Sequence, residues 1–368
     1  MNMNIAIIDA DLIGRKRHRF PNLVCMKLSG YHKACGDTVT LKTDYEGLAS
    51  FDKVYIAKVF TDTEIPDGGI FGNPLDLPNV EYGGTGFFYD NAPPLPPEIE
   101  HHAPDYHLYD SWLTDRDKGG TEFKAYKDYS IGFLTRGCFR HCPFCVNRRS
   151  NKVVKHSPLA EFLDNSRKKI CLLDDNFFGY DGWRDSLREL IDTGKPFHFK
   201  QGLDVRLLDS EKAELLFNAK YDGDYIFAFD DWQDHELIEQ KMRLIRRHTR
   251  RNVTFYTLCA MDLHGKYDNA FWKSDLINLF RRIELLMKYG CRPYVMRYQK
   301  YRQSPYAGLY TQITRWCNIP ACFKKMSLRE FCHRPCNVNS SPKHLLKYER
   351  ENPDESFFLD MKMEAANG

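Results

Sequence analysis

The chain has 368 residues, a formal charge of +3 and 28% charged residues. That length suits one large domain with a smaller one appended, or two comparable domains, each able to bury a core without covalent staples. So small a net charge gives no broad field for nucleic acid or an anionic membrane, and any such contact has to be a local patch. No stretch approaches 18 uncharged apolar residues, and the start, MNMNIAIIDADLIGRKRH, has a short apolar run followed by charges, unlike a secretory leader. The chain is therefore expected to be cytoplasmic, with no membrane partner. Its 12 cysteines then argue for metal or redox chemistry before disulfides. Cys25, Cys35, Cys171, Cys259 and Cys291 stand alone and read as small buried hydrophobes, whereas 138/142/145 and 317/322/332/336 are grouped.

In chain order, NIAIID (4–9) reads as a buried strand and RFPNLVCMKLSGYHKACG as a helix, with Phe20, Val24, Leu28, Tyr31 and Cys35 at helical spacing and Gly36 as its C-terminal cap. TVTLKT (38–43), KVYIAKVF (53–60) and NVEYGG (79–84) are short β-rich runs bounded by turn residues. Together they make a small α/β unit with a parallel sheet. The helices after its second, third and fourth strands are short or missing, because EIPDGGIFGNPLDLP is too rich in Pro and Gly. NAPPLPPEIEHHAPDY reads as an extended, proline-stiffened linker, and 91–127 is assigned to it.

From about residue 128 the rhythm becomes strand, loop, helix. The strands are expected at 130–134, 169–175, 197–204, 225–231, 253–259 and 292–298. Ser157 and Pro158 read as a helix start. Trp183, Leu187, Leu190 and Ile191 form a helical face ended by Gly194, and Leu276, Phe280, Ile283 and Met287 another ended by Gly290. Six β/α units in about 170 residues fit a partial parallel barrel better than a flat doubly wound sheet, and in either architecture ligands bind at the carboxyl ends of the strands. The expected division is an α/β domain at 1–90, a linker at 91–127, the barrel at 128–300 and a cysteine-bearing cap at 301–368.

TRGCFRHCPFC follows the first barrel strand directly. Spacings of four and three residues let Cys138, Cys142 and Cys145 turn inward around one centre. A four-iron cluster takes one ligand per iron, so three thiolates leave one iron open to chelate a substrate. The alternative is zinc, with His141 completing a Cys3His set in a non-catalytic protein.

C-x-x-x-C-x-x-C after a strand, with Phe144 before the last cysteine, resembles the signature of the radical S-adenosylmethionine (radical SAM) superfamily. LLDDNFFGY similarly resembles the turn after the second barrel strand in radical SAM proteins that carry an N-terminal cobalamin-binding-like domain, and RFPNLVCMKLSGYHKACGDTV resembles the first helix of that domain. The resemblance implies a small Rossmann-like domain, a partial (β/α)6 barrel and a C-terminal helical cap. It implies a 4Fe-4S cluster on Cys138, Cys142 and Cys145, with Phe144 near the adenine of SAM. It implies an oxygen-sensitive enzyme, fed by a flavodoxin- or ferredoxin-type reductant, in which SAM is cleaved to a 5'-deoxyadenosyl radical that abstracts hydrogen from the substrate.

Asp174, Asp175 and Asn176 are then candidates for the SAM ammonium or the substrate, or else caps of a β/α turn. Gln201, Asp204 and Arg206 lie at the third strand's end. There Arg206 either pairs with the SAM carboxylate or forms an ion pair with Asp204. Asp230 and Arg297, at later strand ends, are further candidates. YGGTGF (82–87) sits where the cobalamin fold approaches the corrin, but the D-x-H-x-x-G element that supplies an axial histidine is absent. Cobalamin binding, with methyl transfer as its chemistry, and a scaffold-only domain both stay open.

Cys317, Cys322, Cys332 and Cys336 read as an auxiliary cluster or zinc site, or as thiols that merely cap the barrel. The basic runs Arg15, Lys16, Arg17, Arg19 and Arg243, Arg247, Arg251 read first as solvated faces and second as phosphate contacts for RNA.

Overall fold

The computed structural model describes residues 2–363 except 17, 19, 68–71, 115, 117–121, 263 and 336–340. The chain divides into two compact units, Met1–Asp175 with Glu189–Phe197, and Asn176–Arg188 with His198–Gly368. The divisions thus fall within the expected barrel rather than at residue 90 or 300.

The first unit opens with β1 (Asn4–Asp9), β2 (Thr38–Lys42), β3 (Lys53–Ala57) and β4 (Val80–Gly83), which pair in parallel in the order β2-β1-β3-β4. β1 is apolar without a break because both its faces are covered. Ile5 and Ile7 join a core with Cys25, Met26 and Leu28 of the helix Leu23–Ala34, while Ala6 and Ile8 join a second core with Leu48, Val54 and Ile56. The helix starts three residues later than its apolar spacing suggested. Asn22 caps it through Val24 N at 3.0 Å and Cys25 N at 3.4 Å, and Pro21 precedes the cap.

The expected linker is instead packed structure. Short helices at Pro97–Glu100, Asp110–Thr114 and Lys124–Lys127 bury Ile99, Leu113 and Tyr126 against the helix Leu23–Ala34. Polar tethers fix the segment: buried Lys27 reaches Glu100 Oε1 at 2.9 Å, and Ser29 donates to Asp105 at 2.6 Å. Of the prolines here, Pro97 starts a helical turn, with Pro96 as its cap residue.

Asp9 ends β1 at the point where the strand order reverses. Its carboxyl is fully buried, accepts from Tyr109 Oη at 2.9 Å, and is pushed up to about 7, chiefly by burial. The fold thus favours protonated Asp9, and this group's contribution to stability is fully present below the ordinary value of 3.8 and lost as the pH rises through about 7. Asp9→Asn should therefore flatten the pH dependence of the urea unfolding midpoint across that window. An unchanged slope would contradict the assignment.

β5 (Tyr129–Gly132) and β8 (Lys169–Leu172) run parallel, and β9 (Phe197–Phe199) follows in the chain. Between β5 and β8, β6 (Thr135–Arg136) pairs antiparallel with β7 (Val154–Lys155) and staples the base of the cysteine loop. The helix expected after Ser157 is a single 3-10 turn, Leu159–Glu161, because Ser157 Oγ donates to the Glu161 side chain at 2.6 Å instead of capping an amide.

Gly132 ends β5 against the buried ring of Phe162, where an added Cβ would lie 2.3 Å from Cγ. Gly132→Ala should cost about 1–3 kcal/mol by overpacking. A melting temperature equal to wild type would show that the ring yields freely.

In the second unit β10 (Tyr225–Ala228), β11 (Val253–Cys259) and β12 (Arg292–Arg297) run parallel in sequence order, and Leu203 bridges to Phe227. The helices His235–His248 and Asn269–Lys288 cross over between successive strands. Gly290 follows the second at φ +60, as its capping role requires. The C-terminal helical cap buries Trp316, Phe323, Phe331 and Tyr348 in one core with Leu276, Phe280 and Ile283.

Candidate metal centre

The cysteine loop runs from the end of β6 to the start of β7, so the antiparallel pair fixes both its ends. Gly137 precedes Cys138 at φ +94, and a Cβ there would lie 2.4 Å from the Lys152 carbonyl. Only glycine lets the two stems approach this closely. Cys138 N donates to Ser150 Oγ at 3.1 Å, and that hydroxyl donates to Lys152 O at 3.0 Å.

Asp174 and Asp175, just past β8, brace the loop from below. Asp174 is 1% exposed; its Oδ2 accepts from Leu134 N at 3.2 Å, and its Oδ1 accepts from Thr135 N and Thr135 Oγ1, both at 2.7 Å. Burial pushes it up to about 6 against those bonds. Asp175 accepts from Gly137 N at 2.8 Å and from Asn147 Nδ2 at 2.7 Å, one contact on each side of the three cysteines. The SAM-binding role expected for this pair thus gives way, in Asp174, to a structural brace with its oxygens already engaged. Asp175 lies beside the loop with Arg136 at 3.5 Å.

Cys138, Cys142 and Cys145 are partly exposed and outside any disulfide. Cys138 Sγ accepts from Arg140 N, and Cys145 Sγ from Asn147 N, both at 3.4 Å. Burial pushes the Cys145 thiol up, the charges of Asp175 and Cys138 add to this, and the Asn147 amide opposes it. Metal binding, which takes thiolate, overturns that preference.

Among the described residues no three Cys, His, Asp or Glu side chains gather as the ligands of a single ion. His141, at φ +51, holds its Nδ1 2.8 Å from the Arg148 carbonyl and so helps close the loop. Two of the three loop thiols accept an amide on sulfur, as the thiolate ligands of an iron-sulfur centre do. Phe144, next to Cys145, is partly buried.

The remaining candidates lie in the second unit. Asn176 is 2% exposed and precedes the 3-10 turn Phe177–Gly179. Gln201 is exposed, before Gly202 at φ +87. Arg206 has its guanidinium taken by two carboxylates, Asp204 at 2.8 Å and Asp234 at 2.9 Å, and these hold its pKa above the ordinary value. The ion pair weighed as the alternative for Arg206 and Asp204 is present, with Asp234 as a second partner. Asp230 accepts from Leu258 N at 2.8 Å, and burial raises its pKa. Arg297 donates to Thr311 at 2.8 Å and stacks 4.3 Å over Tyr301.

Cys317, Cys322 and Cys332 lie in the apolar core of the cap, and burial pushes Cys332 up to about 12 and Cys317 up as well. Arg334 contacts Cys322 Sγ at 3.1 Å. Cys336 lies outside the described residues, as do Arg17 and Arg19.

Arg251 falls beyond the helix His235–His248, off the face it was expected to share with Arg243 and Arg247, and caps the Tyr221 and Gly223 carbonyls at 3.0 and 2.8 Å. Arg243 bonds Tyr289 and Glu239, Arg15 pairs with Asp62 at 2.6 Å, and Arg247 and Lys16 are exposed.

The glycine-rich edge after β4 is partly filled by the protein itself. A Cβ on Gly84 would meet the Lys58 carbonyl at 2.3 Å and one on Gly86 the Lys58 side chain at 2.6 Å, whereas Gly83 faces open space. Lys58 thus accounts for glycine at 84 and 86, and no neighbouring atom requires it at 83.

No protein-family model matches the sequence, and no curated protein is similar to it. Among solved structures, the radical S-adenosylmethionine methyltransferase TsrM from Kitasatospora setae, with cobalamin and a 4Fe-4S cluster bound, matches with a TM-score of 0.53 at 13% identity, over 81% of this chain and 75% of its own. The same enzyme with tryptophan substrate and the SAM analogue aza-SAM gives 0.47 at 14% identity, over 74% and 70%. The first of these likenesses shows that the chain shares its fold with that enzyme.

Proposed function

We propose that a chain with this fold is a radical SAM enzyme whose centre is the loop of Cys138, Cys142 and Cys145. The observation that carries this reading is a three-thiol loop directly after β5, stapled by β6 and β7 and braced on both stems by Asp174 and Asp175. A 4Fe-4S cluster held there by Cys138, Cys142 and Cys145 would supply the electron for reductive cleavage of SAM. The chain's own part is to hold the thiolates, fix the loop and exclude water and oxygen. A low-potential reductant of the flavodoxin or ferredoxin type serves as electron source, and the cytoplasm as compartment.

The test is spectroscopic. Anaerobically reconstituted protein should show the paramagnetic signature of a reduced four-iron cluster, altered on adding SAM. A cluster whose signal ignores SAM would leave only an iron-sulfur scaffold.

A second reading, cobalamin-dependent methyl transfer, is favoured by the fold neighbour's bound cobalamin. Lys58 packed on Gly84 and Gly86 weighs against it. Hydroxocobalamin that stays with the protein through gel filtration would support it, and quantitative loss would leave the N-terminal sheet a scaffold.

A further inference from the structure

The turn after the N-terminal sheet reaches the cysteine loop. Tyr89 follows the helical turn Thr85–Phe88 at φ +49, ψ −107, a conformation that residues with a Cβ rarely adopt. In it, the Tyr89 hydroxyl donates to the Phe144 carbonyl at 2.5 Å. The same peptide unit carries Cys145 N, which donates to Cys142 O at 2.9 Å, so a relay of hydrogen bonds runs from the phenol through the turn between two of the three thiols.

Asp90, its side chain 7% exposed, accepts from Arg148 Nε and, at 3.0 Å, from Arg149 Nε. Arg148 also donates to Pro143 O at 3.2 Å, stacks 5.6 Å over Tyr89, and offers its carbonyl to His141. Two neighbouring residues thus grip both the turn and the arginine that closes it, and one of them is strained while doing so.

We propose that Tyr89 and Asp90 are positioning residues of the metal centre, holding the Cys142–Cys145 turn in the shape its cluster requires. The inference rests on the cluster reading above. It makes the N-terminal sheet a support for the cysteine loop whether or not that sheet binds a cofactor.

The experiment compares anaerobically reconstituted full-length wild type, Tyr89→Phe, Asp90→Asn and Asp62→Asn. The last removes an exposed ion pair with Arg15 in the same unit. Iron per chain, the rate at which a chelator strips it, the spectrum of the reduced cluster and the melting temperature are read together. Tyr89→Phe should take up iron but lose it about fivefold faster, as expected for one hydrogen bond removed, and Asp90→Asn, which takes the charge from two hydrogen bonds, at least as fast, both with shifted cluster spectra. Asp62→Asn should match wild type.

Variants that melt earlier yet keep the wild-type spectrum and stripping rate would overturn the proposal by making the contacts merely structural. So would variants indistinguishable from a cluster-bearing wild type. A wild type that forms no four-iron cluster would instead sink the underlying reading, and the inference with it.

Discussion

Cys138→Ala, Cys142→Ala and Cys145→Ala should each lower iron from about four per chain toward zero and abolish SAM cleavage, since the proposed centre gives each thiolate a place as one of only three protein ligands to the cluster. Cys171→Ala is the matched control, a thiol fully buried in β8, and it should keep its iron while losing some stability. The contrast sets three partly exposed thiols against one that is fully buried. Iron and zinc measured on the same samples decide the case. One zinc per chain, lost with any of the three cysteines or with His141→Ala, would identify a closed structural site instead.

Asp174→Ala should be among the most destabilising single substitutions in the chain. Its carboxylate accepts from Leu134 N, Thr135 N and Thr135 Oγ1 where almost no water reaches. Leaving buried donors without acceptors costs about 1–3 kcal/mol each, so a total of about 3 kcal/mol or more is expected. It is read as a shift in the urea midpoint at constant slope. Asp175→Ala touches the partly exposed loop and should cost less stability but loosen iron binding, because it frees Gly137 and Asn147 on either side of the thiols. An Asp174→Ala protein as stable as wild type would mean that the β5–β6 connection does not depend on this brace.

The two aspartates show where sequence reasoning stops. Strand positions were legible because a buried parallel strand is a short apolar run, and all six expected from residue 128 onward are present, with ends trimmed by a few residues. The thiol spacing and Gly137 were equally local signals. That Asp174 turns toward Leu134 and Thr135 depends on contacts some forty residues apart, which no local pattern encodes. The same holds for Tyr89, Asp90 and Ser150, which no spacing singled out. Segment 91–127 was misjudged because prolines suggested extension, while Ile99, Leu113 and Tyr126 were too scattered to show a helical face. Arg206 was half legible: Asp204 stands two residues away, but Asp234, which takes the other end of its fork, does not.

The most direct measurement is anaerobic. Reconstituted protein is mixed with SAM and dithionite, and 5'-deoxyadenosine is quantified against Cys142→Ala. Product from wild type alone is the predicted result, and it would direct the search to the substrate. No product from either protein, with zinc held tightly by wild type, would contradict the enzyme reading.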